Sequence, residues 1–222
     1  VKKSNHLIVE TTKGEFETKL LINCGGLQSD RIARKCGLNP DVKIIPFRGE
    51  YYKLKKEKEH LVKNLIYPVP DPKFPFLGVH FTRMIKGGVE AGPNAVLAFK
   101  RNGYGYSDIS FGDLAEMFFY PGFIRMIKQH YVMGINEFRR SLNKSLFAKA
   151  LQKLVPSIEN DDILPGGSGV RAQALDRNGK LVDDFRIIET EKQVHVLNAP
   201  SPAATASLSI GNYIADIVVK NH

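Results

Sequence analysis

The sequence predicts a mixed α/β fold, and three patterns carry that prediction. Near each end of the chain, an apolar strand leads through small residues into a helix. Between these ends, residues 44–100 alternate short strands with proline and glycine turns, which is typical of an antiparallel sheet. Residues 108–155 show helical periodicity, and strands return after residue 163. We therefore expect an α/β part at the two ends and an antiparallel sheet with a helical addition in the middle.

The composition is that of a globular protein, with 43% apolar and 25% charged residues. Lysine and arginine outnumber the acidic residues by nine, 32 against 23. These basic residues are scattered and do not alternate with aromatic residues, so we expect no nucleic-acid partner. The excess positive charge suits an acidic substrate instead. No apolar run approaches the eighteen residues that a membrane-spanning helix needs.

The first elements are a hairpin and a strand–helix unit. The hairpin pairs residues 7–10 with 16–20 around the turn signal Lys13-Gly14. Residues 20–23 are apolar on both faces and predict a buried strand. A helix follows from Ser29 to Cys36 and ends at Gly37. The turn between them contains Gly25 and Gly26, which resembles half of a nucleotide cradle, although such turns also serve packing alone.

The central region predicts a sheet with one functional face. Residues 42–54 read as a strand broken by Pro46 and Gly49, and residues 65–69 as a short strand. Another strand covers residues 76–82, and a turn follows residues 88–93. The first predicted helix opens at Phe111, and a single later helix runs from Ser141 to Leu154. Between these two, residues 118–128 are apolar with basic edges, which favours a helix packed on the sheet or on a partner and leaves contact with a membrane surface as the alternative.

The C-terminal region predicts three strands (166–175, 185–189 and 194–198) and a final helix. Ser201 is a good N-cap and Pro202 suits the first helical position. The small residues that follow, Ala203, Ala204 and Thr205, leave the amide groups of that helix end open to a flat, electron-rich ligand. An ordinary strand-to-helix turn is the alternative. Gly211 inside the helix predicts a close backbone neighbour.

Three polar residues are candidates for chemistry. Arg171, flanked by small residues, can bind a carboxylate through two hydrogen bonds, or pair with an internal acid. Arg48 has Glu50 as a ready structural partner. His80 lies mid-strand between apolar neighbours, either as a core residue or as a neutral imidazole that takes a proton from a hydroxyl. No catalytic Ser–His–Asp set and no metal-ligand cluster is present in the sequence.

The two cysteines, Cys24 and Cys36, lie twelve residues apart without zinc-finger spacing. They predict a buried, reduced pair and a cytoplasmic protein. Neither cysteine resembles a nucleophile.

Six segments together resemble the FAD-dependent oxidoreductases of the D-amino-acid-oxidase (DAO) superfamily, and within it the branch that oxidises L-2-hydroxyglutarate. The segments are residues 21–30, 46–52, 76–82, 92–95, 169–174 and 201–207. The resemblance covers nearly the whole chain. It implies an FAD-binding domain of the DAO/glutathione-reductase type built from residues 1–40 and 161–222. It also implies a substrate domain, residues 41–160, with an antiparallel sheet and a helical insertion.

The same resemblance implies the chemistry and its residues. A hydride would pass from C2 of L-2-hydroxyglutarate to FAD, with His80 as the base for the hydroxyl proton. Arg171, Arg48 and Gln173 would bind the dicarboxylate substrate. The residues expected to contact FAD are Gly25, Gly26, Gly169, Val170, Ala203, Ala204 and Thr205.

The glycine-rich βαβ unit of these enzymes is not in the sequence, so we expect a C-terminal fragment whose partner is the missing N-terminal FAD-binding segment. The fragment alone should hold FAD poorly. The alternatives are a flavin oxidase for another 2-hydroxy acid, an amino acid or glycerol 3-phosphate, and a non-catalytic basic interaction module. We expect a cytoplasmic location, with peripheral contact to the inner face of a membrane as a further option.

Overall fold

The computed structural model describes residues 6–69 and 78–221, and its elements confirm the predicted mixed α/β fold. The strands are β1 (Leu7–Thr11), β2 (Gly14–Thr18), β3 (Leu21–Asn23), β4 (Val42–Leu54), β5 (His80–Arg83), β6 (Val89–Gly92), β7 (Val96–Leu97), β8 (Ile163–Asp176), β9 (Arg186–Thr190) and β10 (Gln193–Asn198). The helices are α1 (Ser29–Lys35), α2 (Phe111–Phe118), α3 (Pro121–Leu142), α4 (Lys144–Gln152) and α5 (Ser207–Asn221).

The described residues fall into two compact units. The terminal unit is drawn from Val1–Ile45, Tyr120–Phe123 and Ala172–His222, and the central unit from Pro46–Phe119 and Ile124–Arg171. The domain boundaries expected from the sequence, 1–40, 41–160 and 161–222, stay predictions. No helix in the described ranges is both long enough and apolar enough to cross a bilayer.

The terminal unit contains two small sheets. Strands β1 and β2 form the predicted hairpin, in which Gly14 has a φ of +119° that suits glycine. In the other sheet, β10 lies in the middle, parallel to β3 and antiparallel to β9. The core of this unit packs Ala33 of α1 with Leu197 of β10 and with three residues from the parts of β4 and β8 that belong to this unit, Val42, Ile44 and Ala174. Helix α1 ends as predicted, with Gly37 at a φ of +85°.

Three predictions for the terminal unit are wrong. Ile22 is 45% exposed because β3 is at the edge of its sheet, with β10 as its partner among the described strands. Cys24 is exposed and Cys36 half-buried, because Cys24 follows the edge strand directly; the two do not form a disulfide bond with each other. A Cβ added to Gly211 would meet no described atom within 4 Å, so no close backbone neighbour explains that glycine.

Helix α5 begins five or six residues later than predicted. Residues 201–206 form bends and turns, and the helix starts at Ser207. The carbonyl of Pro202 accepts hydrogen bonds from the Ala206 amide and the Thr205 hydroxyl, both at 3.2 Å. Those bonds close a single turn, and the helical ladder continues from Ala206, whose carbonyl accepts the Ile210 amide at 2.9 Å.

The central unit is built on a five-stranded sheet with β4 in the middle. The order is β5–β6–β4–β7, and β8 also pairs with β4. The ladder of β4 passes from Phe47 and Arg48, opposite β7, to Tyr52 and Lys53, opposite β6. Between these pairs, the Asn94 side chain accepts the Glu50 amide at 2.8 Å, so the strand continues through Gly49 without the predicted break.

The two faces of this sheet differ because side chains alternate along each strand. The helix face carries Arg48, Glu50, Tyr52 and Leu54; its core packs Tyr52 and Leu54 with Phe147 and Leu151 of α4. The histidine face carries Tyr51 of β4, Gly92 of β6 and His80 of β5, because His80 is paired with Gly92, and Phe81 with Ala91 on the helix face.

Two further elements of the central unit differ from prediction. Residues 65–69 form a single bridge between Ile66 and Phe81, with two hydrogen bonds, and no strand. The predicted helix from Ser141 to Leu154 is divided, because Asn143 caps α4 by accepting the amides of Ser145 and Leu146. The strand predicted over residues 76–82 is described from His80 as β5; Phe76 and Leu77 lie outside the described residues.

Candidate functional site

His80 is held on the histidine face by two contacts. Its Nδ1 lies 3.1 Å from the carbonyl oxygen of Gly78, and its ring stacks on Tyr67 with centroids 4.2 Å apart and planes 17° apart. A carbonyl can only accept, so Nδ1 carries the proton of the neutral ring. The lone pair of Nε2 is then available to accept a proton from a bound hydroxyl.

The protonation state of His80 suits this role. Burial lowers the pKa of His80 below its ordinary value; the hydrogen bond to Gly78 opposes that shift, and the positive charge of Arg171 adds to it. The imidazole is therefore neutral at pH 7, which a general base requires.

Tyr51 lies beside Gly92 on the same face. A Cβ added to Gly92 would lie 3.3 Å from Cδ1 of Tyr51 and 2.7 Å from the carbonyl oxygen of Glu50, and Gly92 has a φ of +138°. Only glycine fits this position, between the strands that carry the histidine and the tyrosine. Burial raises the pKa of Tyr51 and the charge of Arg171 opposes the shift, so the phenol stays protonated and can donate a hydrogen bond.

Arg171, on β8, completes this group. Its side chain is exposed and forms no ion pair or hydrogen bond with another residue in the described part of the chain, so pairing with an internal acid is not seen there. Its charge acts on both His80 and Tyr51. The neutral imidazole and the phenol of the histidine face thus lie within the electrostatic reach of a guanidinium that pairs with no acid among the described residues.

Arg48 lies on the other face and is 1% exposed. Its Nη2 is 2.9 Å from Oε1 of Glu50, and its guanidinium carbon lies 4.0 Å from the centre of the Tyr106 ring. Glu50 also accepts Nδ2 of Asn94 at 2.8 Å and the hydroxyl of Ser141. Arg48 therefore belongs to a buried polar network, the structural alternative weighed from the sequence.

The remaining predicted substrate and cofactor residues on β8 are spread over both units. In the central unit, a Cβ added to Gly169 would meet nothing described within 4 Å, and Val170 is half-buried. In the terminal unit, Nε2 of Gln173 donates to the carbonyl of Val182 at 3.2 Å. That bond links Gln173 to its own unit.

The Gly25–Gly26 turn of the terminal unit is set by a buried network. Oδ1 of Asn23 accepts the Gly25 amide at 3.0 Å, and Nδ2 of Asn23 donates to Ser29 O at 2.8 Å and to Nδ1 of His195 at 3.0 Å. A Cβ at Gly25 would lie 2.6 Å from Cδ1 of Ile32, so only glycine fits there; its predicted contact with FAD stays a prediction. Gly26, with a φ of +50°, has nothing described within 4 Å of an added Cβ and leaves its backbone approachable.

The residues before α5 also leave backbone donors available. Ala203, Ala204 and Thr205 are exposed, and no described residue accepts a hydrogen bond from their three amide groups. This stretch fits the electron-rich edge of a ligand such as a flavin. In contrast, no group of three His, Cys, Asp or Glu side chains within residues 6–69 and 78–221 is placed to hold a metal ion.

His80 and Arg171 are candidates from the sequence, whereas Tyr51 and Tyr67 are evident only from the structure. Tyr51 had a signal: it alternates with Glu50 along β4 and so must lie opposite the buried network. Tyr67 had none, because its place depends on the bridge between Ile66 and Phe81.

The chain matches one protein family over nearly its whole length and resembles curated proteins that share one name. The profile of the family described as "DAO: FAD dependent oxidoreductase" matches residues 2–217. L-2-hydroxyglutarate dehydrogenase of Indibacter alkaliphilus is 60% identical over 96% of this chain and 54% of its own length. The mitochondrial L-2-hydroxyglutarate dehydrogenase of Caenorhabditis briggsae is 50% identical over 96% of this chain and 51% of its own. The chain thus spans about half the length of these curated relatives.

Among solved structures, L-amino acid deaminase from Proteus vulgaris matches 93% of this chain and 50% of that chain, with 15% identity and a TM-score of 0.48.

Proposed function

We propose, since the chain belongs to the DAO family of FAD-dependent oxidoreductases, that the whole protein oxidises L-2-hydroxyglutarate to 2-oxoglutarate. The family match confirms the resemblance drawn from the six sequence segments. The observation that supports the reaction is the group on the histidine face: a neutral imidazole beside a guanidinium without an ion partner among the described residues. An alcohol beside a carboxylate needs a base and a cation of this kind.

In this proposal, His80 accepts a proton and Arg171 binds a carboxylate. Nε2 of His80 takes the proton of the C2 hydroxyl, which Gly78 makes possible by holding the proton of the neutral ring on Nδ1. FAD, when bound, accepts the hydride that leaves C2. Arg171 binds a carboxylate of the substrate, and its positive charge opposes protonation of His80 before the substrate arrives.

We assign the carboxylate to Arg171 rather than to Arg48. Arg48 is neutralised by Glu50 and lies on the opposite face of the sheet, whereas no described acid neutralises Arg171. A charged hydrogen bond already made to an internal acid gains little from a second carboxylate. The predicted contact between Gln173 and the substrate stays a prediction.

Two stretches of the terminal unit would hold FAD. The approachable backbone at Gly26 suits the adenosine side, and the amides of Ala203, Ala204 and Thr205 suit the part of the flavin ring that becomes negative on reduction. Gly169 and Val170 of the central unit are the further predicted contacts. These assignments rest on unpaired donors and on open space above a glycine.

The edge of β3 supports an N-terminal partner segment. Ile22 is 45% exposed on this strand, whose described partner is β10 alone. An apolar strand edge without a hydrogen-bonding partner is unfavourable in a folded protein. We therefore propose that a strand from the N-terminal part of the longer protein pairs with β3. Such a segment would also supply the phosphate-binding turn of FAD.

The surface of α2 and α3 supports a further, peripheral partner. Phe118, Phe119 and Ile124 are exposed by 51%, 87% and 36%, and the basic residues Arg125 and Lys128 follow on α3. We propose a cytoplasmic location in which this surface contacts the inner face of a membrane. Sedimentation of the whole protein with anionic vesicles, lost on adding salt, supports the contact; no sedimentation with any vesicle contradicts it.

The reaction is tested with the whole protein carrying FAD. Replacing His80 with Gln removes the base and keeps the size, so we expect turnover of L-2-hydroxyglutarate to fall by about 10²- to 10⁴-fold. Bound flavin, measured by its absorbance, should not change, because His80 is not among the predicted FAD contacts. Wild-type protein that reduces no flavin with L-2-hydroxyglutarate, or H80Q protein with full turnover, would overturn the proposal.

A further inference from the structure

The base proposed above is an imidazole on a strand end, and one hydrogen bond does not fix its ring plane. His80 is the first residue of β5, and its bond to Gly78 O constrains Nδ1 only. The second side-chain torsion of histidine, about the covalent Cβ–Cγ bond, has a broad distribution in proteins, so the ring can rotate about Cβ–Cγ. A base must hold its lone pair in a narrow direction to take a proton efficiently.

Tyr67 supplies the missing constraint. Its ring lies 4.2 Å from the imidazole at 17°, which is a stacked contact over one whole side of the ring. An imidazole that turned out of this plane would lose the contact or collide with the tyrosine.

The backbone fixes Tyr67 in turn. Ile66 accepts the Phe81 amide at 2.9 Å and donates its own amide to Phe81 O at 3.1 Å. This bridge lies directly beside the stacked pair, one residue away on each chain segment. Ile66 packs with the buried core cluster on the helix face, so alternation directs Tyr67 to the histidine face.

We propose that Tyr67 is a positioning residue for His80: its ring holds the imidazole plane and shields one side of it from water. The proposal rests on the proposed function, in which His80 is the base. Shielding agrees with burial as the main cause of the lowered pKa of His80.

The other groups around His80 do not replace this contact. Arg171 on β8 acts on the imidazole through its charge, and it also acts on Tyr51 of β4, whose pKa is raised in part by the negative charge of Glu90 on β6. None of the described residues besides Tyr67 forms a ring stack with the imidazole. A loss of the tyrosine ring should therefore show both in the rate and in the titration of the base.

The test uses the whole protein with FAD bound and compares Tyr67→Phe, Tyr67→Leu and Tyr67→Ser. Phe keeps the ring, so we expect kcat/KM within about twofold of wild type. Leu and Ser remove it, and we expect kcat/KM to fall by about 10- to 100-fold, as for a misplaced catalytic group. The acidic limb of the pH profile should move to higher pH, because a hydrated imidazole regains its ordinary pKa.

Leu and Ser variants with wild-type rates and an unmoved acidic limb would overturn the proposal, and so would a Phe variant as slow as the Leu variant, since the hydroxyl and not the stack would then matter. Flavin content and the unfolding midpoint are measured alongside; Tyr67 is 47% exposed, so its replacement should leave both unchanged. H80Q separates the two claims: if H80Q is inactive while all Tyr67 variants are normal, the base stands and the positioning role falls.

Discussion

The central unit contains two candidate arginines for a substrate carboxylate, and these two have opposite surroundings. Arg48 on the helix face is 1% exposed, bonded to Glu50 and stacked over Tyr106. Arg171 on β8 is exposed and pairs with no described acid, while its charge reaches His80 and Tyr51. From the sequence both were candidates for a substrate carboxylate.

The difference lies in the counter-charge: Glu50 neutralises Arg48, whereas no described acid neutralises Arg171. Glu50 accepts hydrogen bonds from three side chains, those of Arg48, Asn94 and Ser141, so the network is closed around its carboxylate. Nε and Nη1 of Arg48 are buried and have no hydrogen-bond partner among the described residues. A buried pair of this kind stabilises little in net terms but is costly to break, because either partner left alone is an uncompensated buried charge. The histidine face has the reverse property: its free charge costs little there because it is solvated.

The largest expected effect comes from breaking the closed network. Glu50→Gln keeps the size of the side chain but leaves Arg48 buried without a counter-charge. We expect the free energy of unfolding to fall by about 3–5 kcal/mol, measured by urea unfolding of the whole protein. A loss below about 1 kcal/mol would show that Arg48 is not held by this carboxylate.

A matched substitution on the histidine face should have the smaller effect. Glu90 is half-buried, lies opposite Lys53 in the register of β6 and β4, and accepts no hydrogen bond from Arg48. Glu90→Gln should change the free energy of unfolding by less than about 1 kcal/mol, as for a half-buried carboxylate that forms no ion pair with a described residue. If both glutamates cost the same in the same urea experiment, the contrast between the faces is not one of charge burial.

Local chemistry made much of the terminal unit predictable. The turn signal Lys13-Gly14 and the C-cap Gly37 act within a few residues, and both the hairpin and the end of α1 are confirmed. The same local reasoning fails at Ser201, because the Pro202 carbonyl is taken by Thr205 and Ala206 in a single turn before α5. A capping residue and a following proline do not reveal that competing bond.

The candidate site was predictable only in part, since it depends on contacts distant in sequence. The adjacency of Arg48 and Glu50 was visible in the sequence, but their burial under the helices was not. Likewise, Leu142 and Leu146 suggest one helix, and only the hydrogen bonds of Asn143 show the division between α3 and α4. The Tyr67 stack requires the bridge of Ile66 to Phe81, which a 65–69 strand prediction places only approximately.

The most direct test of these assignments compares Arg171→Met with Arg48→Met in the whole, FAD-loaded protein, measuring KM for L-2-hydroxyglutarate and the unfolding midpoint of each. We predict that R171M raises KM by about 10- to 150-fold, the cost of one charged hydrogen-bonding partner, with an unchanged midpoint. R48M should instead lower the midpoint and leave KM close to wild type, because Glu50 is then the buried charge without a partner. A raised KM in R48M together with a normal KM in R171M would contradict the account.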